Sequence, residues 1–167
     1  MNIRPEREAD TPAIRRVNLA AFETSKEAEL VDALREQAAP LVSLVAEDAG
    51  AIVGHILFSP VTLIGHPEIT MMGLAPMAVM PARQRQGIGS ALVRDGLDAC
   101  KRLGASAVVV VGHAAYYPRF GFTPASRFGI RCEYDVPDDV FMMLEISAGG
   151  LQGKSGIVRY HSALASA

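Results

Sequence analysis

The sequence contains no tryptophan, only two cysteines, and no apolar run long enough to cross a bilayer. Cys100 and Cys132 stand far apart and match neither a disulfide framework nor a zinc-ligand pattern, a usage that suits a reducing cytoplasm and predicts no metal centre. The run Val108-Val109-Val110-Val111 is closed by Gly112-His113, and the opening Met1-Asn2-Ile3-Arg4-Pro5-Glu6 lacks the basic and then apolar pattern of a secretory signal. No membrane association is expected. An excess of one charge is also missing, since 16 lysines and arginines face 18 acids for a net charge of -2. That balance provides no electrostatic footprint for nucleic acid. At 167 residues, half of them hydrophobic and a fifth charged, the chain is expected to fold as a single domain over 1–167, with a loop-rich tail from about 148.

Periodicity supplies the elements. A short strand is expected at Asn2 to Arg4, and Asp10 before Thr11-Pro12 reads as the N-cap of a first helix. A second helix covers Lys26 to Gln37, with Leu30, Val31 and Leu34 on its apolar face. Leu41 to Glu47 and Ala51 to Leu63 read as an antiparallel hairpin turning at Asp48-Ala49-Gly50. A strand from Ile69 to Val79 is interrupted by Gly73 and Pro76, residues that interior strands normally exclude. An amphipathic helix then runs to Leu103, Gly104 stops it, and Ala107 to Val111 forms a buried strand. Strand, helix and strand in this order predict a parallel crossover within an otherwise antiparallel arrangement. Further strands are expected around Ile130 to Tyr134 and Phe141 to Ile146. The fold class is therefore α+β, a mixed and mostly antiparallel sheet flanked by helices.

The chemistry concentrates in the loop Gln84-Arg85-Gln86-Gly87-Ile88-Gly89-Ser90, directly before the amphipathic helix. Two glycines there let backbone N–H groups converge on an anion at the helix N-terminus, and Arg83 and Arg85 can add charge. A pyrophosphate suits such a cradle. A nucleotide triphosphatase loop would need Gly-Lys-Ser/Thr, where this chain has Gly89-Ser90-Ala91. A dinucleotide fingerprint would need a third glycine at Leu92 and an acid at the end of the next strand, which instead ends Val111-Gly112-His113.

Taken in order, Gln84-x-x-Gly87-x-Gly89 and Tyr117-x-x-x-Gly121-Phe122 resemble the two signatures of the GNAT family of N-acetyltransferases. Glu29-Leu30-Val31, Gly54-His55-Ile56-Leu57-Phe58-Ser59 and the stretch from Tyr116 to Phe122 are similar to an uncharacterised bacterial branch of that family. The resemblance implies a GNAT-like sheet in which the strands at Leu74 to Val79 and Ala107 to Val111 splay apart. It implies acetyl-CoA as cosubstrate, an amine as acceptor, and a homodimer. The pantetheine arm would lie between the splayed strands and bond to backbone groups of Met77, Ala78 and Val79, with Met77 or Ala78 polarising the thioester oxygen.

Attack by an amine on a thioester needs an unprotonated amine and an acid for the departing thiolate. The resemblance gives the acid's place to Tyr117, with Tyr116 as second candidate. The family's glutamate on the first splayed strand is missing from Thr70-Met71-Met72-Gly73-Leu74. His113, His55 and Glu145 remain as alternative bases, beside water-relayed deprotonation. Loss of that glutamate also keeps open a catalytically inactive acyl-CoA-binding sensor, and the pocket depth leaves acyl length open. Cys100 falls on the apolar stripe of its helix and reads as core.

Overall fold

A computed structural model of the chain describes residues 1–166. Its elements are β1 (Asn2–Pro5), α1 (Thr11–Ala21), α2 (Lys26–Gln37), β2 (Val42–Asp48), β3 (Ala51–Leu63), β4 (Met71–Val79), α3 (Ile88–Leu103), β5 (Ala107–Val111), β6 (Thr123–Pro124), β7 (Ile130–Cys132), β8 (Phe141–Glu145) and β9 (Gly156–Arg159). The main sheet runs β1-β2-β3-β4-β5-β8-β6, and β9 joins β7 to the end of β3. All pairs in the main sheet are antiparallel except β4 with β5.

Side chains alternate across the sheet with period two, and this alternation sorts the core. Leu44, Ala46, Ile56 and Phe58 pack against Ile88, Leu92, Val93 and Cys100 of α3. Their neighbours Val45 and Leu57 face the other way, against Ile14 of α1 and Leu30, Val31 and Leu34 of α2. A glycine fixes how closely α3 approaches: a Cβ on Gly96 would stand 2.2 Å from Cε1 of Phe58, which is fully buried. The helix ends as expected, since Gly104 adopts φ +92 and its N–H and that of Ala105 close on Lys101 and Cys100.

Two expectations change. Asp10 sits at the N-cap position of α1 but makes no side-chain cap there. Its carboxylate instead takes both terminal nitrogens of Arg4, at 2.7 and 3.0 Å, and the N–H of Arg7 at 2.7 Å. The planar guanidinium fork outcompetes a lone backbone donor, and the Arg4 bond holds the Asp10 carboxyl down to about 2. The segment after 148 contains more than loop, because β9 pairs with Thr62 and Leu63 of β3 and runs parallel to β7.

The feature that positions the site is the parting of β4 and β5. They pair only where Met71, Met72 and Gly73 meet Ala107, Val108 and Val109. From Leu74 onward β4 pairs with β3 alone, across a register shift between Ile56 and Phe58. Pro76, which has no N–H to donate, lies within that stretch. The edge of β4 that faces β5 is thus open where the sequence predicts an interrupted strand.

Candidate active site

The loop after β4 is tied down by its own side chains. Gln84 Nε2 donates to the carbonyl of Val79 at 3.0 Å, and Arg83 donates to Asp48 at 2.8 Å and to Gln86 Oε1 at 3.1 Å. Arg83, expected to add charge for a phosphate, therefore spends that charge partly on Asp48. Arg85 adopts φ +63 and Gly87 φ +85, so the chain turns twice through the left-handed region before entering α3. The first intrahelical bond runs from Ala91 N–H to Gly87 at 3.0 Å, which leaves the N–H groups of Ile88, Gly89 and Ser90 to face outward from the helix start. Those donors and the helix dipole favour an anion.

A cavity of about 440 Å³ opens there, lined by Val79, Arg83, Gln84, Arg85, Gly87, Ile88, Gly89, Ser90, Tyr116 and Arg119. Tyr116 and Arg119 are the residues that sequence reasoning undervalued. Tyr116 Oη lies 2.9 Å from Ser90 Oγ, and the Arg119 guanidinium stands 4.4 Å over the Tyr116 ring while its Nε donates to the Tyr116 carbonyl at 3.0 Å. The signal was present in Tyr116-Tyr117-Pro118-Arg119, but a tight 3-10 turn over Tyr117–Phe120 is needed to bring it to the helix start. A Cβ on Gly89 would touch Met77 at 3.4 Å and Tyr116 Oη at 3.5 Å, so a larger side chain there would project into the cavity.

Tyr117 lies beneath, 7% exposed, against Tyr116 and Phe122. A Cβ on Gly112 would stand 2.4 Å from its ring, so that glycine makes room for it. Burial pushes the Tyr117 phenol up to about 12, which keeps it protonated at neutral pH. Met77 pairs with Ile56 and shares the α3 face, as does Val79 opposite Gly54, while Ala78 is buried opposite His55 on the α1 face.

The three candidate bases do not meet at this cavity. His55 is fully buried, with Asn18 Nδ2 at 3.2 Å from Nδ1 and Ser43 Oγ at 2.9 Å from Nε2. The Asn18 amide also donates to the Ile14 carbonyl at 3.0 Å, so Nδ1 accepts and Nε2 carries the proton. Ser43 passes the chain on to Glu6, which accepts from Arg35. Both imidazole nitrogens are occupied, and burial holds the ring down to about 4. His113 is exposed, and its carbonyl accepts from Tyr116 and Tyr117. Glu145 ends β8 and accepts from the Gly149 N–H at 3.2 Å. Cys100 is buried in the core, and burial pushes its thiol up to about 12, which removes it as a nucleophile. Among the described residues no group of three His, Cys, Asp or Glu side chains is placed to hold a metal ion.

The family model for the acetyltransferase (GNAT) family matches residues 11–122. The chain belongs to the GNAT family of acetyltransferases. It is 37% identical over 162 residues to the uncharacterised N-acetyltransferase YhbS of Escherichia coli, an alignment covering 96% of each chain. With the uncharacterised N-acetyltransferase YjhQ of the same organism it shares 42% over 147 residues, covering 84% of this chain and 81% of YjhQ. The crystal structure of YhbS in complex with CoA superimposes with a TM-score of 0.92 at 35% identity, covering 98% of this chain and 91% of that one. A GNAT family acetyltransferase from Brucella melitensis in complex with acetyl-CoA gives 0.80 at 39%, covering 98% and 97%. The GNAT sheet expected from the two signatures is the one observed, parallel pair included. No described helix is long and apolar enough to cross a membrane.

Proposed function

We propose that this GNAT protein, acting as one unit over its full length, transfers an acetyl group from acetyl-CoA directly to an amine. The observation that carries the proposal is the coincidence of two features: the open edge of β4 beyond Gly73 and the anion-favouring start of α3 at the mouth of the same cleft. The residues fit the cosubstrate. The N–H groups of Ile88, Gly89 and Ser90, with Gln84, Arg85, Gln86 and Gly87 shaping the turn, suit a pyrophosphate, and Met77 and Val79, whose backbone turns to the open edge while that of Ala78 faces His55 of β3, suit an amide-bearing arm. The CoA and acetyl-CoA complexes of the two structural relatives support this assignment.

Acetyl-CoA supplies the thioester. The amine nitrogen forms a bond to the acetyl carbon as the bond from that carbon to sulfur breaks. The amine proton leaves to solvent, the departing thiolate takes its proton from the Tyr117 phenol, and solvent returns a proton to the phenolate. Burial keeps Tyr117 protonated at neutral pH, so it has a proton to give and is not available as the base. His55 has neither nitrogen free to accept the amine proton, so we assign it to the structure of the α1 face. His113, exposed beyond β5, is the remaining imidazole for relaying that proton through water.

Incubated with acetyl-CoA and a panel of primary amines, the protein should release free thiol only when an amine is present. Tyr117→Phe should lower kcat by about 10²-fold, the lower range for a lost general acid, with acetyl-CoA affinity retained. The second reading, an acyl-CoA-binding protein without chemistry, is favoured by the lack of any carboxylate or imidazole lining the cavity. Tight acetyl-CoA binding with no thiol release across the panel would decide for it. Cytoplasmic residence and a homodimer accompany the proposal, to be checked by cell fractionation and sedimentation.

A further inference from the structure

The cleft has a second face. Leu74 and Met72 point toward α3 with the main core, so Gly73 between them presents its Cα to the face bearing α1 and α2. Gly73 is also the last β4 residue paired with β5, opposite Val109, and so marks the closed end of the splay. A Cβ there would meet Val61 Cγ1 at 2.9 Å and Tyr160 Cε1 at 3.1 Å. The missing strand side chain is therefore replaced by the ring of Tyr160, delivered from the far end of the chain by β9. The Tyr160 hydroxyl is buried and has no hydrogen-bond partner among the described residues. A buried phenol normally finds one, and its absence here calls for a partner from outside the chain.

The surroundings specify the partner's charge. Tyr134, 38% exposed, stacks on Tyr160 with centroids 6.1 Å apart and planes at 25°. Glu133 caps the Tyr160 N–H at 2.8 Å, which fixes that side chain beside the pair. Residues 131–139 carry four carboxylates, on Glu133, Asp135, Asp138 and Asp139, against the single cation Arg131. A cavity of about 260 Å³ borders Tyr134, and Asp135 and Asp138 outnumber the one cation, Arg131, in its lining. An aromatic face within a net negative rim selects an ammonium group.

Resting on the acetyltransferase reading, we infer that the acceptor is an amine with a second amino group that is an ammonium at neutral pH. Its reacting nitrogen donates an N–H to Tyr160 Oη above Gly73, which leaves the nitrogen lone pair free for the acetyl carbon. Its second charge lies against Tyr134, Glu133 and Asp135. Acceptor and cosubstrate then approach from opposite faces of the sheet, because the phosphate cradle lies at the start of α3 and Tyr160 on the α1 and α2 face.

The test is calorimetry on the full chain saturated with coenzyme A, using three probes of equal length: cadaverine, pentylamine and δ-aminovalerate. Cadaverine should bind about tenfold tighter than pentylamine, and δ-aminovalerate weakest, a tenfold step being the size of one good polar contact. Tyr160→Phe keeps the ring over Gly73 and should cost cadaverine about tenfold in affinity while leaving coenzyme A affinity unchanged. Asp135→Asn should narrow the cadaverine-to-pentylamine ratio. The Tyr160→Phe protein should melt at or above the parent temperature, since it loses an unsatisfied hydroxyl. Equal binding of the three probes overturns the inference, as does cadaverine affinity unaltered by Tyr160→Phe, which would mean that a water alone serves the hydroxyl. Cadaverine binding without thiol release from acetyl-CoA would remove the transfer reaction and leave the amine site standing.

Discussion

The buried chain Asn18, His55, Ser43, Glu6 and Arg35 makes a quantitative claim about acid stability. His55 is fully buried with both ring nitrogens engaged, and its pKa falls from 6.5 to about 4, chiefly through burial. In the unfolded chain the imidazole binds a proton as pH drops through 6.5, while in the folded protein it stays neutral until about 4. The unfolded state thus holds more protons between those values, and stability falls as the solution is acidified across that window. Each pH unit is worth at most about 1.4 kcal/mol, so the full window removes about 3 kcal/mol. Asp10 and Asp48, lowered from 3.8, lose their contributions below the window; Glu68, lowered from 4.5, enters only at its acid edge and cancels between parent and variant. Urea unfolding at half-unit steps from pH 7 to 4, on the parent and on His55→Gln, isolates the contribution as the difference between two curves. That difference should shrink steadily below 6.5. A constant offset between parent and variant over the window would refute the assignment of a neutral buried imidazole.

Three further outcomes follow from particular contacts. Gly96→Ala should destabilise by about 1–3 kcal/mol despite the better helix propensity of alanine, because its Cβ lands on the Phe58 ring, and Phe58→Leu in the same chain should restore part of the loss in thermal melts. Gly87→Ala must hold a side chain at φ +85, at a cost of about 1–2 kcal/mol, and should weaken coenzyme A binding by calorimetry as the turn relaxes. Tyr116→Phe removes the bond to Ser90 Oγ and should cost about 1 kcal/mol in cosubstrate affinity with kcat nearly unchanged, the reverse of the pattern expected for Tyr117→Phe.

The local elements were written in the letters, because each rests on spacing between near neighbours. The α3 stripe, its glycine stop and the glycines of the loop before α3 depend on periods and dihedral needs that a sequence displays directly. The open edge of β4 was legible as well, through Gly73 and Pro76, since neither suits an interior strand. Asp10 shows where local reading fails: its position is that of a cap, yet Arg4 and Glu47, on two paired strands, decide where the charge goes.

Tertiary structure decided which polar groups are free to act. His55 and Tyr160 illustrate the division, because a histidine in a strand and a tyrosine near the chain end look unremarkable alone. Asn18, Ser43 and Glu6 arrive from α1, β2 and the loop after β1 to saturate His55, and β9 carries Tyr160 some ninety residues along the chain to fill the space over Gly73. Burial and hydrogen-bond saturation are sums over contacts distant in sequence, so no local pattern encodes them. The sequence by itself determined the family, the glycine loop before α3 and the parted strands, and folding alone determined which polar side chains are buried, paired or left without a partner.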